Sequence, residues 1–482
     1  MFSLLPTRDR APREPLAPDT TAATREGRPA PAVKGPQPQP PGRAPAGGRR
    51  LAWLDALRGI AALCVVYAHF GTRVLPKVHT AVYNFFDPGL YGVLVFFMIS
   101  GYIVPASLER KGSVRTFWLS RLFRLFPLFV FAVAAVLLLH DLGWASLRGT
   151  NTNVTASAFA HLFMLNDLLG GSDVIVVLWT LSYEMVFYLL LTALFTAGLH
   201  QRSGRLAGGF AIGALLLGGL LPTVWLSHSA LGPTGVALGC DALIMSGLVL
   251  AVASRGRSRA LGAWLAAATG LVLVVFNERA GAFEGLTILA LMFTGTMLYR
   301  AEQGQIRRGR AVAAAIGVFA AAIAAGAWHI SADGAWHIPL VSAQRQTMLH
   351  QREWAVSVAL AGLTFAIGMA LRHLRVPSVL AWLGLVSYSL YLLHPLLIDV
   401  YDAMPLAHGH RPAGLQVALG IGFLAVLLAC CALTYHLVEA PMQRLGRQVT
   451  ARLDARFGPD RADARLQTAR PLRLMLAGGH DR

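Results

Sequence analysis

Twelve apolar runs divide the chain between residues 51 and 438, near 51–70, 89–108, 124–140, 174–198, 206–226, 236–253, 260–276, 283–299, 311–330, 353–371, 377–400 and 414–438. About 20 apolar residues in a helix cross the roughly 30 Å hydrocarbon core of a bilayer. In hydrocarbon each backbone N–H and C=O must be satisfied internally, which for such runs means a helix. The spacing predicts an all-α fold, a polytopic transmembrane helix bundle of 10–12 spans. The run at 124–140 is short, and the weaker stretch 156–169 reads as a candidate re-entrant segment. Only 14% of the residues are charged, against about 25% in a typical soluble domain.

The net charge is +18. In a soluble chain this would suggest nucleic acid. Here the Lys and Arg residues lie mainly in short loops and tails, so the expected partner is the lipid bilayer and not nucleic acid. With the N-terminus inside, the inner loops carry 16 Lys and Arg, the outer loops seven, and the segments before the first run and after the last nine each. That bias predicts both termini in the cytoplasm and an even number of spans. Residues 1–48 read as a disordered basic tail rich in Pro and Ala, without the apolar core of a signal peptide. Residues 49–445 read as the membrane domain, and 446–482 as a second basic cytoplasmic tail with some helix. The four cysteines, Cys64, Cys240, Cys430 and Cys431, lie in apolar runs without ligand spacing, so no metal site and no disulfide framework is expected.

Several runs contain residues that hydrocarbon disfavours. The first, RRLAWLDALRGIAALCVVYAHF, holds Asp55, Arg58 and His69. Arg or Asp at mid-helix costs about 2.5–3.5 kcal/mol on insertion scales. Eleven residues separate Arg58 from His69, which places both on one helix face, roughly 16 Å apart along the axis. Asp55 lies one turn before Arg58 and is expected to pair with it. That face should line a protein interior or an aqueous path. The alternative is an Asp–Arg pair that fixes packing and an interfacial His.

Further on, Ser100-Gly101 permits close helix approach or a kink. Arg121 and Arg124 put two guanidiniums one turn apart, a fork for phosphate or a positive-inside anchor. Trp179, Ser182 and Glu184 are expected at the outer end of the fourth run. Tyr388, Tyr391 and His394 recur at i, i+3 and i+6, within an arc of about 120°, and read equally as an interfacial belt. Glu439, Pro441 and Arg444 close the last run; Pro441 reads as a helix stop and Glu439 as a partner for a nearby base. Asp241, with Gly247 after it, lies near the outer end of the sixth run. Asn153-Val154-Thr155 has the form of a sequon.

The order LDALRGIAAL…H, FFMISGY, RLFR, LWTLSYE, SYSLYLLHP and VEAPMQR resembles the acyltransferase-3 family of integral-membrane O-acyltransferases, over about Leu51 to Arg444. The Arg–ten residues–His spacing in the first run is the most specific part. The resemblance implies transfer of an acyl group, by family habit acetyl, from cytoplasmic acyl-CoA to hydroxyls of carbohydrates or glycolipids of the bacterial cell envelope, such as polysaccharide or lipopolysaccharide, at the cytoplasmic membrane. It implies Arg58 and His69 as the essential pair; Asp55 and Glu184 are expected beside them in the catalytic set. Arg121 and Arg124 are implied at the donor, and Ser100, Gly101, Trp179, Tyr388, Tyr391, His394 and Glu439 in substrate or structural roles. Acyl-CoA is implied as co-substrate, with no permanently bound cofactor. Thr180 stands where the family motif has Ser. Members often carry a fused SGNH esterase-like domain; this sequence shows none, so transfer is expected in the membrane region. His69 is open to two roles, general base or transient carrier of the acyl group. A transporter for a sugar or acylated metabolite is the competing class, although the matched half-chain interruptions of transporters are not seen.

Overall fold

The computed structural model describes residues 47–145, 154–169, 174–219, 222–279, 281–330, 343–405, 412–458 and 460. Residues 1–46 and 461–482 of the expected tails, and Asn153 of the sequon, lie outside them. The described chain is helical, without a β-strand. Among the described residues, ten elements are long and apolar enough to cross a membrane: α1 (Gly47–Val74), α3 (Pro88–Lys111), α4 (Val114–Asp141), α6 (Trp179–Thr196), α8 (Gly232–Ala253), α9 (Gly256–Phe276), α10 (Ala282–Glu302), α11 (Arg308–His329), α12 (Ala343–Leu371) and α15 (Ala413–Thr434) with its continuation. Short helices α2 (Pro76–Tyr83) and α5 (Val154–Leu162) lie between them.

The other two predicted runs are helical but irregular. The run at 377–400 is broken into α13 (Ser378–Leu385) and α14 (Ser387–Ala403), which meet at 68°. The break sits at Val386, where Ser387 Oγ donates to the Gly384 carbonyl at 2.9 Å and satisfies a group the bend frees. The run at 206–226 forms α7 (Ser203–Leu217), only 15 residues. Its Gly204 lies against Met297 near the end of α10, and its far end meets Phe283 near the start of α10 and His329. So α7 runs antiparallel along the whole of α10.

Helices α6 and α10 form the centre, with 83% of their most apolar windows buried, against 22% for α15 at the rim. Rim helices turn Val249, Leu261, Ile316 and Ile421 outward, a lateral surface suited to lipid and not to water. Helices α3 and α10 cross closely because Gly101 and Gly295 have no side chains. A Cβ on Gly101 would overlap the Met292 carbonyl, and one on Gly295 the Met98 carbonyl.

One end of the bundle is rich in arginine. There Arg300 pairs with Glu109 and donates to the His200 carbonyl at 3.0 Å. Arg115 pairs with Asp454 and Arg259 with Asp460, each at 2.5 Å. Trp53 near the start of α1 meets Tyr102 edge-on; the Tyr102 hydroxyl donates to Glu302, which pairs with Arg372 at 3.1 Å. The described chain therefore enters and leaves the bundle at this same end.

Two expectations are corrected. Pro441 does not stop the last helix, which runs unbroken from Ala413 to Phe457. A π-helical turn at Tyr435–Glu439 widens the ladder, with Ala440 N–H donating to the Tyr435 carbonyl five residues back, and α16 (Ala440–Phe457) follows with Pro441 in its first turn. The first part of the expected tail is thus a docked helix, with Gly446 pressed against Phe123 of α4. Second, α6 does not begin at an outer rim. Residues Phe163–Leu169, Val177 and Leu178 before it are buried. The Met164 carbonyl accepts from Ser182 at 2.9 Å, and the Leu168 carbonyl from Asn277 at 2.7 Å. Non-helical backbone is tolerated there because protein, not lipid, surrounds it. Glu184 consequently lies in the interior.

Candidate active site

Helices α1, α3, α4, α6 and α14 enclose a cavity of about 670 Å³, measured out to its open mouth. Val93, Phe96, Phe97, Leu125 and Leu181 supply an apolar wall. The polar wall gathers Arg58, Ser100, Arg121, Arg124, Thr180, Glu184, Tyr388 and Tyr391 from five helices. Local structure aims each of them. Ser113 caps α4 by accepting from Thr116 N–H, so the helix already runs regularly when it reaches Arg121 and Arg124. Gly59 and Gly384 let α13 press against α1 beside Arg58. The bend at Val386 turns Ser387, Tyr388 and Tyr391 to the cavity.

The three guanidiniums form no ion pair and no side-chain hydrogen bond with another described residue. Arg121 is buried, with Nε unpartnered and its guanidinium 5.3 Å from the Tyr188 ring centroid and 5.6 Å from that of Phe117. Arg58 and Arg124 repel each other across the site, while Asp55 and Glu184 attract Arg58 at longer range. Asp55 makes no ion-pair contact with Arg58 among the described residues, contrary to expectation, because Arg58 reaches into the cavity. Glu184 accepts from Ser100 Oγ at 3.3 Å and from the Tyr188 hydroxyl. Tyr388 donates to the Leu125 carbonyl at 2.9 Å. Thr180 keeps a hydroxyl in the motif's Ser position, and it lies 2.9 Å from the Tyr391 hydroxyl.

His69 does not line this cavity; it lies further along α1, beside α14. Its Nδ1 is 2.9 Å from the Val65 carbonyl and 3.2 Å from Nε2 of His394, which is fully buried. Nδ1 of His394 is in turn 3.0 Å from the Leu390 carbonyl. The Tyr391 ring, on the cavity wall, meets the His394 ring edge-on at 6.2 Å. One turn beyond, Arg73 donates to the His69 carbonyl at 2.7 Å and through Nε to Asp402 at 2.7 Å, clasping α1 to α14.

The remaining predicted residues are placed outside the cavity. Gly101 serves the α3–α10 crossing. Trp179 packs edge-on against Tyr183 at 5.9 Å. Glu439 accepts from Ser389 and does not form an ion pair with a described base; Arg124 acts on it only at longer range. The expected basic partner is replaced because the π turn carries Glu439 toward α14. Two features escaped the sequence reading. Tyr188 stands four residues after Glu184, a helical i, i+4 contact that the sequence does contain. The His69–His394 contact joins residues 325 apart, and no local signal announces it.

The fold and the site define an all-α membrane protein with a cationic interior cavity beside a histidine pair. The chain belongs to the acyltransferase-3 family, whose profile, described as an acyltransferase domain, matches residues 51–435. It is 31% identical over 184 residues to Nodulation protein 10 of Rhizobium leguminosarum bv. viciae, covering 34% of this chain and 48% of that protein. It is 32% identical over 149 residues to Acyltransferase MdmB of Streptomyces mycarofaciens, covering 29% and 38%. To YrhL of Bacillus subtilis (strain 168), whose name gives it provisionally as a peptidoglycan O-acetyltransferase, it is 25% identical over 214 residues, covering 40% and 31%. The chain spans less than half the length of each of these relatives.

Proposed function

We propose that the protein transfers an acyl group, acetyl in the first instance, from cytoplasmic acyl-CoA to a hydroxyl of a cell-envelope or exported carbohydrate or glycolipid, in a bacterial cytoplasmic membrane with both termini inside. The observation that carries this reading is the set of three arginines that converge on one cavity with no ion-pair partner among the described residues. Guanidiniums held together in low dielectric repel unless an anion joins them. A phosphorylated donor is such an anion, and the guanidinium fork suits it. Family membership and the names of two relatives, an acyltransferase and a protein provisionally named a peptidoglycan O-acetyltransferase, point the same way.

In this reading Arg121 and Arg124 hold the donor phosphates near the arginine-rich end. The thin pantetheine arm passes Arg58 along the apolar wall toward α14. His69 removes the acceptor hydroxyl's proton as the oxygen attacks the thioester carbonyl. The C–S bond breaks, the acyl–oxygen bond forms, and the departing thiolate takes the proton back from His69. Ester and free CoA thiol result, with no proton or electron left over. Arg58, whose guanidinium reaches into the cavity, is the group available to stabilise negative charge developing on the thioester oxygen.

The test supplies radiolabelled acetyl-CoA and total envelope glycolipid to membranes that hold the wild-type protein or His69→Ala. Label on carbohydrate with wild type alone supports the reading. Equal label with both removes His69 from the chemistry, and no label with inserted wild-type protein removes the acyl-CoA reading for that acceptor pool.

A further inference from the structure

We propose that His394 is a positioning residue that, together with the Val65 carbonyl, holds His69 at a fixed ring angle in the tautomer with the proton on Nδ1, so that the lone pair of the neutral ring lies on Nε2. The inference rests on the acyl-transfer reading for its catalytic meaning, but not for the tautomer itself.

Donor and acceptor accounting carries it. A backbone carbonyl can only accept a hydrogen bond. Nδ1 of His394 lies 3.0 Å from the Leu390 carbonyl, so Nδ1 bears the proton. Neutral His394 then presents a lone pair at Nε2, and that atom faces Nδ1 of His69 at 3.2 Å. The same Nδ1 of His69 faces the Val65 carbonyl at 2.9 Å. Both neighbours demand a donor at Nδ1 of His69, and both are met by a single shared N–H. A cationic His394 would present a proton at Nε2 and compete with it. Full burial of His394 disfavours that cation. With Nδ1 of His69 committed, Nε2 is the nitrogen able to take a proton from an attacking hydroxyl.

The pair is also held mechanically. Arg73, one turn beyond His69, ties the His69 backbone to Asp402 near the end of α14, about two turns beyond His394. When His69 becomes an imidazolium during transfer, its Nδ1–H strengthens its bonds to His394 Nε2 and the Val65 carbonyl without rotating. The arrangement does for His69 what a buried orienting group does for a catalytic histidine in general: it sets ring angle and tautomer before the substrate arrives.

Nitrogen-15 NMR of histidine-labelled wild-type protein in nanodiscs, with His69→Ala used for assignment, tests the tautomer without any turnover. A protonated Nδ1 and an unprotonated Nε2 on His69 are expected; a protonated Nε2 overturns the proposal. The kinetic arm compares His394→Phe with His394→Gln, whose side-chain carbonyl can accept from His69. The phenyl variant should lose roughly 10²–10⁴ in kcat with KM for acetyl-CoA within about twofold, and the glutamine variant should regain most of that loss. Wild-type kcat in His394→Phe overturns the proposal, as does an equal loss in both variants with a raised KM. Adding His394→Phe to His69→Ala should cost nothing more, and a further loss would show His394 acting independently of His69. Should the phenyl variant fail to fold, the glutamine variant and the NMR readout decide. A wild-type protein that leaves glycolipid unlabelled refutes the acyl-transfer reading, while the tautomer measurement still judges the pair.

Discussion

At the scale of single residues, the site is a balance of cations that have few close partners. Arg58, Arg121 and Arg124 converge on one cavity, and Asp55, Glu184 and Glu439 act on them at longer range. Replacing Arg121 and Arg124 together by Ala should raise KM for acyl-CoA. Each charge-assisted hydrogen bond contributes about 1.5–3 kcal/mol, so a rise of tenfold or more is expected, most visible at low salt; an unchanged KM returns both residues to membrane anchoring. Arg58→Ala should abolish turnover while the protein still inserts, checked by acyl transfer beside detergent-extracted yield. Wild-type turnover in that variant removes Arg58 from the mechanism. Thr180→Ser should keep nearly full activity, because it retains the hydroxyl that lies beside Tyr391.

At the scale of elements, function depends on places where helices depart from regularity. Gly101 and Gly295 let α3 and α10 touch at backbone distance, and the neighbouring Ser100 of α3 reaches Glu184 of α6. Gly101→Ala should destabilise the bundle by about 1–3 kcal/mol, the cost of overpacking a tight contact, read as a lower thermal midpoint in detergent. The last helix is anchored by Asp460, which accepts from Ser113 at 3.0 Å, Arg115 N–H at 2.9 Å and Arg259 at 2.5 Å. Burial alone would raise this carboxyl, but these donors and the Arg259 charge outweigh it and hold it below its ordinary value. A depressed carboxyl contributes stability above its unfolded pKa of about 3.9 and loses it as pH falls through the lower folded value. The clamp should therefore persist across neutral and mildly acidic pH. Asp460→Asn should release it at pH 7, seen as faster tryptic cleavage after the exposed Arg456; unchanged cleavage would show that the clamp does not hold α16.

At the scale of the whole molecule, the ends of the bundle differ in chemistry. The end with Arg115, Arg259, Arg300 and Arg372 also receives the first turn of α1 and the docked α16. The opposite end joins α1 to α14 through Arg73 and Asp402, and α3 to α12 through Asp87 and Ser357. Under the orientation proposed above, the positive-inside bias would put the first end in the cytoplasm. A cysteine introduced at exposed Ala455 should then react with a membrane-impermeant maleimide only after cells are opened, and one at Arg352 should react in intact cells. The reverse pattern would invert the topology and move donor binding to the wrong side.

Much of this was legible in the sequence for reasons that are local. Run length and hydropathy determined helices and a membrane setting, because hydrocarbon admits little else. Helical periodicity put Arg58 and His69 on one face, and the pairs Arg121–Arg124 and Tyr388–Tyr391 within a turn of each other. The break at Val386, the π turn that absorbs Pro441 and the buried approach to α6 were not legible. Each depends on what packs alongside: Gly384 against α1, Glu439 against α14, Met164 under Ser182. The sequence by itself thus determined which residues hydrocarbon could not hold without a purpose. Only the tertiary structure decided which of them meet. Glu184 joins the arginines and not an outer rim, and His69 finds His394 across 325 residues, because contacts between distant helices are set by packing at close range and leave no period in the chain.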